Sequence, residues 1–127
     1  MTPYFFTFGL ASLFLINPIK LSTNFEALIW VVVIIYGTLF IGLREEVGGD
    51  WLNYKNSYDK LSVLPIESWL NVSRFDPGYL FIVLLSALFN GGVMGVNLIS
   101  GFIVMTSLVF YAKNQPLPWI VIVASIP

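Results

Sequence analysis

Residues 25–43 read FEALIWVVVIIYGTLFIGL, with Trp30-Val31-Val32-Val33-Ile34-Ile35 at the centre and one charge, Glu26, beside the start. The run is too long for a β-strand and apolar on every helical face, so it is not the amphipathic helix of a soluble domain. At 1.5 Å per residue it spans roughly 28 Å, close to the ~30 Å hydrocarbon core of a bilayer. It predicts a membrane-crossing helix, with Glu26 near enough to one end to reach the interface.

The flanking sequence repeats the pattern. Residues 3–19 form a first apolar run closed by Asn17 and Pro18, and Lys20, Ser22, Thr23 and Asn24 link it to the second. No Lys or Arg precedes it, and no convincing small-x-small cleavage site follows, so it is expected to stay as a span and not to act as a signal peptide. Residues 77–91 are apolar but cover only about 22 Å as a helix, which predicts a half-spanning or re-entrant element. Residues 93–112 form a full span, Lys113-Asn114-Gln115-Pro116 a tight turn, and residues 118–127 the start of another. That last run stops at its tenth residue. The chain is therefore expected to be the N-terminal part of one longer membrane domain.

Composition agrees. Apolar residues make up 57% of the chain and charged residues 10%, far below the quarter expected of a soluble domain. The net charge of −1 gives no basic surface for nucleic acid. Cysteine and histidine are both absent. Acid–base chemistry must then rest on Asp, Glu, Lys, Tyr or Arg, and no acidic spacing suggests a metal. No cofactor is expected.

Charge collects in one place. Residues 44–76 hold ten of the 13 charged residues. Within this polar loop Trp51, Tyr54, Tyr58 and Leu61 recur at helical spacing, with Asn53, Asn56 and Lys60 on the other face, and Asp50 stands where an N-cap belongs. Pro65 suits the first turn of a second short helix through Trp69 and Leu70. Both pieces are expected to be amphipathic helices in the membrane interface. The predicted fold is all-α: a polytopic helical membrane protein with a polar loop of short amphipathic helices and a half-spanning helix.

The loop also carries the candidate chemistry. Gly48 and Gly49 permit a tight bend and close approach of backbone to a ligand. Arg44 and Arg74 can grip phosphate bidentately. Glu46, Asp50 and Asp76 are candidate bases or hydroxyl-binding groups, and Trp51, Tyr54 and Tyr58 can stack on sugar rings. Blander roles stand beside these. Trp51 and Tyr58 can be interfacial belt residues, Arg44 a snorkelling residue after a span, Asp50 a cap alone and Glu45 a solvated charge. The glycines of Gly91-x-x-x-Gly95 can let helices approach closely, but the favoured expectation is that they build a turn, and Asn71-Val72-Ser73 fits a glycosylation sequon.

The stretch Gly42-Leu43-Arg44-Glu45-Glu46-Val47-Gly48-Gly49-Asp50-Trp51-x-x-Tyr54 resembles the signature loop of the EpsG family, membrane proteins of bacterial exopolysaccharide assembly. Phe75-Asp76-Pro77-Gly78-Tyr79, Asn97-Leu98-Ile99-Ser100-Gly101 and Gln115-Pro116-x-Pro118-Trp119 resemble further blocks of that family. The likeness runs from about residue 37 to the end. It implies a Wzy-like polymerase joining polyprenyl-pyrophosphate-linked oligosaccharide repeats, with a Thr-Arg-Gln block on a later helix. It also implies the bacterial cytoplasmic membrane as location and other polysaccharide-assembly proteins as partners. On this expectation Arg44 and Arg74 neutralise pyrophosphate, Glu46, Asp50 or Asp76 orients or deprotonates the acceptor, and Gly48, Gly49, Trp51, Asn53 and Tyr54 contact substrate.

A flippase for lipid-linked sugars is the first alternative, but it should place charges inside its spans. A non-catalytic subunit of a synthase is the second, and it needs no Arg–carboxylate cluster beside a glycine bend. A plain Lys/Arg tally puts the 44–76 loop inside, with four such residues against one in each short turn. The loop also holds charged residues that look functional, so that tally is discounted; with the 77–91 helix not crossing, the loop is expected outside, with the N-terminus.

Overall fold

A computed structural model describes Gly9 and residues 22–44, 49–69 and 75–125. Apart from Gly9, the expected first span (3–19) lies outside the described residues, as do Glu46, Gly48, Leu70, Arg74 and the sequon. Every regular element among the described residues is helical. In order they are α1 (Thr23–Gly42), α2 (Trp51–Val63), α3 (Ile66–Trp69), α4 (Pro77–Leu88), α5 (Gly92–Lys113) and α6 (Pro118–Ala124).

Helices α1 and α5 are long and apolar enough to cross a bilayer, with 20 and 22 residues and mean hydropathies of 2.1 and 2.0. A core helix of a soluble protein would be mostly covered, yet only 17% and 22% of their most apolar windows are buried. Large side chains such as Leu28, Val32, Ile35, Phe102 and Phe110 face outward. Apolar surface of this extent suits lipid. The chain is an all-α membrane protein.

The chain forms two compact units, one from Met1–Ile35 with Val104–Pro127, the other from Tyr36–Ile103. In the first, Trp30 stacks on Trp119 with ring centroids 4.6 Å apart and planes 11° from parallel. Val109, Ala112 and Ile122 complete that core. The Trp30 ring N–H donates to Glu26 at 3.3 Å, so the one acid of α1 bonds one turn along its own helix.

The second unit holds the polar loop. Its core is Leu61, Trp69, Leu80, Val83 and Val96, with Tyr58, Phe75 and Tyr79 packed against it. The predicted inner face of α2 is thus correct at Tyr58 and Leu61, while Asn53, Asn56 and Lys60 are exposed as expected. The second loop helix follows Pro65 as expected and runs to Trp69, the last described residue before Phe75. Among the described residues Ile66–Trp69 is helical, one turn, tied by the Trp69 ring N–H to the Leu64 carbonyl at 3.0 Å.

Helix α4 has 12 residues, so it extends about 18 Å, well short of the ~30 Å core. The Asp76 carboxylate caps it, accepting from the Gly78 N–H at 3.1 Å, with Pro77 in the first turn. Asn90 and Gly92, with φ of 52° and 60°, turn the chain back into α5. Gly91 belongs to this turn as expected, but Gly95 does not: a Cβ there would run into Ser86 Oγ, so its role is helix packing. Ser86 is 1% exposed and donates to the Gly92 carbonyl at 2.6 Å.

Candidate functional site

Arg44 follows the last turn of α1, and close packing of α1 on α5 decides what it meets. A Cβ on Gly42 would lie 2.5 Å from Leu98 Cδ2 and 2.8 Å from Leu98 Cα. One on Gly101 would lie 3.3 Å from Ile41 Cβ and from the Thr38 carbonyl oxygen. Small residues at both points let the helices approach closely. The end of α1 is thereby set beside the part of α5 that carries Asn97 and Ser100.

A cavity of about 320 Å³ opens there, lined by Ile41, Arg44, Gly49, Asp50, Trp51, Tyr54, Asn97 and Ser100. Five of the sequence candidates, Arg44, Gly49, Asp50, Trp51 and Tyr54, therefore share one space. A second cavity, about 430 Å³, is lined by Asp50, Asn53, Tyr54, Ser57, Phe75, Asp76 and Tyr79. Asn53 and Asp76 belong to this one. Asp50 and Tyr54 border both.

Asp50 does not act as expected in local structure. It occupies the N-cap position of α2, but its φ of −97° and ψ of −1° are helical, and its side chain makes no capping bond. A capping side chain normally works from an extended backbone, from which its oxygen can reach the free N–H groups. Here Oδ1 accepts from Asn53 Nδ2 at 3.4 Å. The carboxylate is exposed and stands at the border of the two cavities.

The aromatic residues hold the second cavity in shape. Tyr54 and Tyr79 have centroids 6.0 Å apart with a 45° tilt, and Phe75 lies 6.0 Å from Tyr79 at 30°. The Tyr79 hydroxyl donates to the Tyr54 carbonyl at 3.4 Å, joining the first turn of α4 to α2. Lys55 Nζ sits 5.4 Å from the Trp51 ring centroid, a cation–π approach on the exposed side of α2.

Among the described residues no group of three or more acids, Cys or His is placed to hold a metal. What the arrangement offers is a guanidinium, two carboxylates, amides, hydroxyls and flat rings, a set suited to phosphate and polyol recognition. Asn97, Ser100, Ser57, Phe75 and Tyr79 were not among the sequence candidates. The signal for the first two was present: two polar residues three apart fall on one face of an apolar helix.

No curated protein and no solved structure matches the chain significantly. The sequence profile of the EpsG family does match, over residues 27–126, which takes in the described lining of both cavities, most of α1 and all of α5. The chain belongs to the EpsG family.

Proposed function

We propose that the protein is a Wzy-like polymerase of bacterial polysaccharide biosynthesis, a membrane glycosyltransferase acting on polyprenyl-pyrophosphate-linked oligosaccharides. One observation carries the reading. Arg44, Gly49, Asp50, Trp51 and Tyr54 line a single cavity with Asn97 and Ser100 of a membrane helix. A lipid-linked pyrophosphate needs a cation at the mouth of an apolar span, and Arg44 supplies one with a forked donor geometry.

In this mechanism the acceptor hydroxyl gives its proton to the Asp50 carboxylate. Its oxygen bonds to the anomeric carbon of the donor. The bond from that carbon to the pyrophosphate oxygen breaks, and the electron pair leaves with the polyprenyl pyrophosphate, whose charge Arg44 offsets. Trp51 and Tyr54 flank the sugar. Glu46, Gly48 and Arg74 are assigned to the same site from sequence, and Asp76 orients the acceptor. The polymerase lies in the cytoplasmic membrane with the 44–76 loop facing outward, among other assembly proteins. Spans near 3–19, 25–43, 93–112 and 118–127 belong to one membrane domain, and residues 77–91 enter the membrane halfway.

The test is genetic and chemical. Cells lacking the full-length protein should accumulate single lipid-linked repeats, and the wild-type gene should restore long chains where Arg44→Ala, present at equal level in the membrane, does not. Normal chain lengths with Arg44→Ala would reduce that residue to a membrane anchor.

A further inference from the structure

We propose that the second cavity is the acceptor-sugar subsite, and that Asp50 and Tyr54 form the wall across which the glycosyl group passes from a donor held in the first. The assignment rests on the polymerase reading and divides its site in two. The division follows from charge. The first cavity has Arg44 on its lining as well as Asp50. Among the described residues the second is lined by Asp50 and Asp76 and by neither Lys nor Arg. Two carboxylates repel a pyrophosphate, but they accept hydrogen bonds from sugar hydroxyls, and Asn53 and Ser57 add polar atoms of both kinds.

Shape agrees with charge. Tyr54, Tyr79 and Phe75 give the second cavity aromatic faces tilted by 30° to 45° to one another, against which the C–H face of a pyranose packs. Its volume, about 430 Å³, lies within the ~300–1,000 Å³ typical of small-molecule sites. The polar groups are also held in place. Asp76 Oδ1 is held by Gly78 N–H at 3.1 Å, Asn53 makes a longer contact to Asp50 Oδ1 at 3.4 Å, and the Tyr79 hydroxyl donates to the Tyr54 backbone carbonyl at 3.4 Å. Asp50 borders both cavities, so it alone among the described carboxylates can take a proton from an acceptor in one while facing an anomeric carbon in the other. Asn53 and Ser57 then select the acceptor sugar.

The experiment uses full-length protein in lipid vesicles with a lipid-linked repeat as substrate. Ser57→Phe fills the second cavity. It should cut chain extension at least tenfold while the affinity for an added polyprenyl pyrophosphate, read by tryptophan fluorescence, stays within twofold. Arg44→Ala should weaken that affinity at least tenfold. Wild-type extension by Ser57→Phe, or equal loss of pyrophosphate binding in both variants, would overturn the assignment. Should Ser57→Phe fail to insert, Asn53→Ala, on the exposed face of α2, takes its place in both measurements, and the same two results would overturn the assignment. If the wild type itself makes no polymer, the polymerase reading fails separately. The subsite is then judged by binding of the free repeat oligosaccharide, which Ser57→Phe must weaken and Arg44→Ala must not.

Discussion

Asp50→Asn separates chemistry from folding with unusual clarity in this chain, because the carboxylate has little structural work at the start of α2. The Asp50 side chain makes no capping bond. Its bond from Asn53 is long at 3.4 Å and exposed, so it is worth at most about 0.5 kcal/mol, the low end for a hydrogen bond. An Asn carbonyl accepts the same bond. Loss of a negative charge at the start of α2 costs about 0.3–1 kcal/mol through the helix dipole. The sum stays below about 1.5 kcal/mol, small against a typical stability of roughly 5–15 kcal/mol. Loss of a general base costs about 10²–10⁴ in rate, or about 2.7–5.4 kcal/mol of barrier. The variant should reach the membrane at the wild-type level, make almost no polymer and accumulate single lipid-linked repeats. Membrane level is read by immunoblot and chain length by gel electrophoresis of extracted glycan. Chains of normal length from Asp50→Asn would refute the base assignment, since neither term of the stability estimate could hide a hundred-fold loss.

Arg44→Lys keeps the charge but not the fork, so polymer yield should fall at least several-fold at unchanged protein level; undiminished yield would leave Arg44 as a simple counter-charge. Gly42→Ala puts a Cβ within 2.8 Å of the Leu98 backbone, where a rotamer change gives no relief. It should cost about 1–3 kcal/mol and open the first cavity, seen as a lower melting temperature in detergent together with weaker pyrophosphate binding. At Asp76, Ala should lower stability by about 1 kcal/mol and Asn by a few tenths, because both Asp and Asn can accept from Gly78 N–H; equal losses in thermal melts would deny the cap. The cysteine-free chain allows Asn56→Cys as a single label on the exposed face of α2. An impermeant maleimide should label it in intact cells, and labelling only after lysis would invert the proposed topology.

The long helices were legible because a bilayer imposes a simple rule: about 20 apolar residues in a row. The run read as 25–43 is helical at Thr23–Gly42, and the one read as 93–112 at Gly92–Lys113. The inner face of α2 was legible only in its second half: Tyr58 and Leu61 pack inward, whereas Tyr54 is exposed. Caps were harder. Asp50 and Asp76 both precede a helix, but only Asp76 has the extended backbone, with ψ of 134°, from which a carboxylate can reach a free N–H. Proline at the next position holds Asp76 in that region, so the Asp-Pro-Gly order carried the information. The residues that share a cavity with Arg44 were hidden for a different reason. Nothing local says that residues 97 and 100 lie near residues 44–54; that depends on which helices touch, and the contact depends on Gly42 and Gly101 being small.

In the described spans, the position of the charges supports the proposed site at the interface over a route through the membrane. A translocator of charged lipid-linked sugars needs polar or ionisable groups along its spans to replace water around the substrate. Within α1 the only charged residue is Glu26, in the first turn, and it accepts from the Trp30 ring. Within α5 the only charged residue is Lys113, in the last turn. By contrast the first cavity combines Ile41, Asn97 and Ser100 from the two membrane helices with the charged start of the loop, and the second is built from the loop and the first turn of α4. A lipid-linked donor has the same division: an apolar tail that stays in the bilayer, a charged pyrophosphate at its edge, and sugars beyond. With Arg44 where the span ends and the aromatic cavity on the far side of Asp50, the tail need never leave the lipid for the sugar to reach the acceptor. That order of groups is what supports the proposed polymerase reading over a carrier.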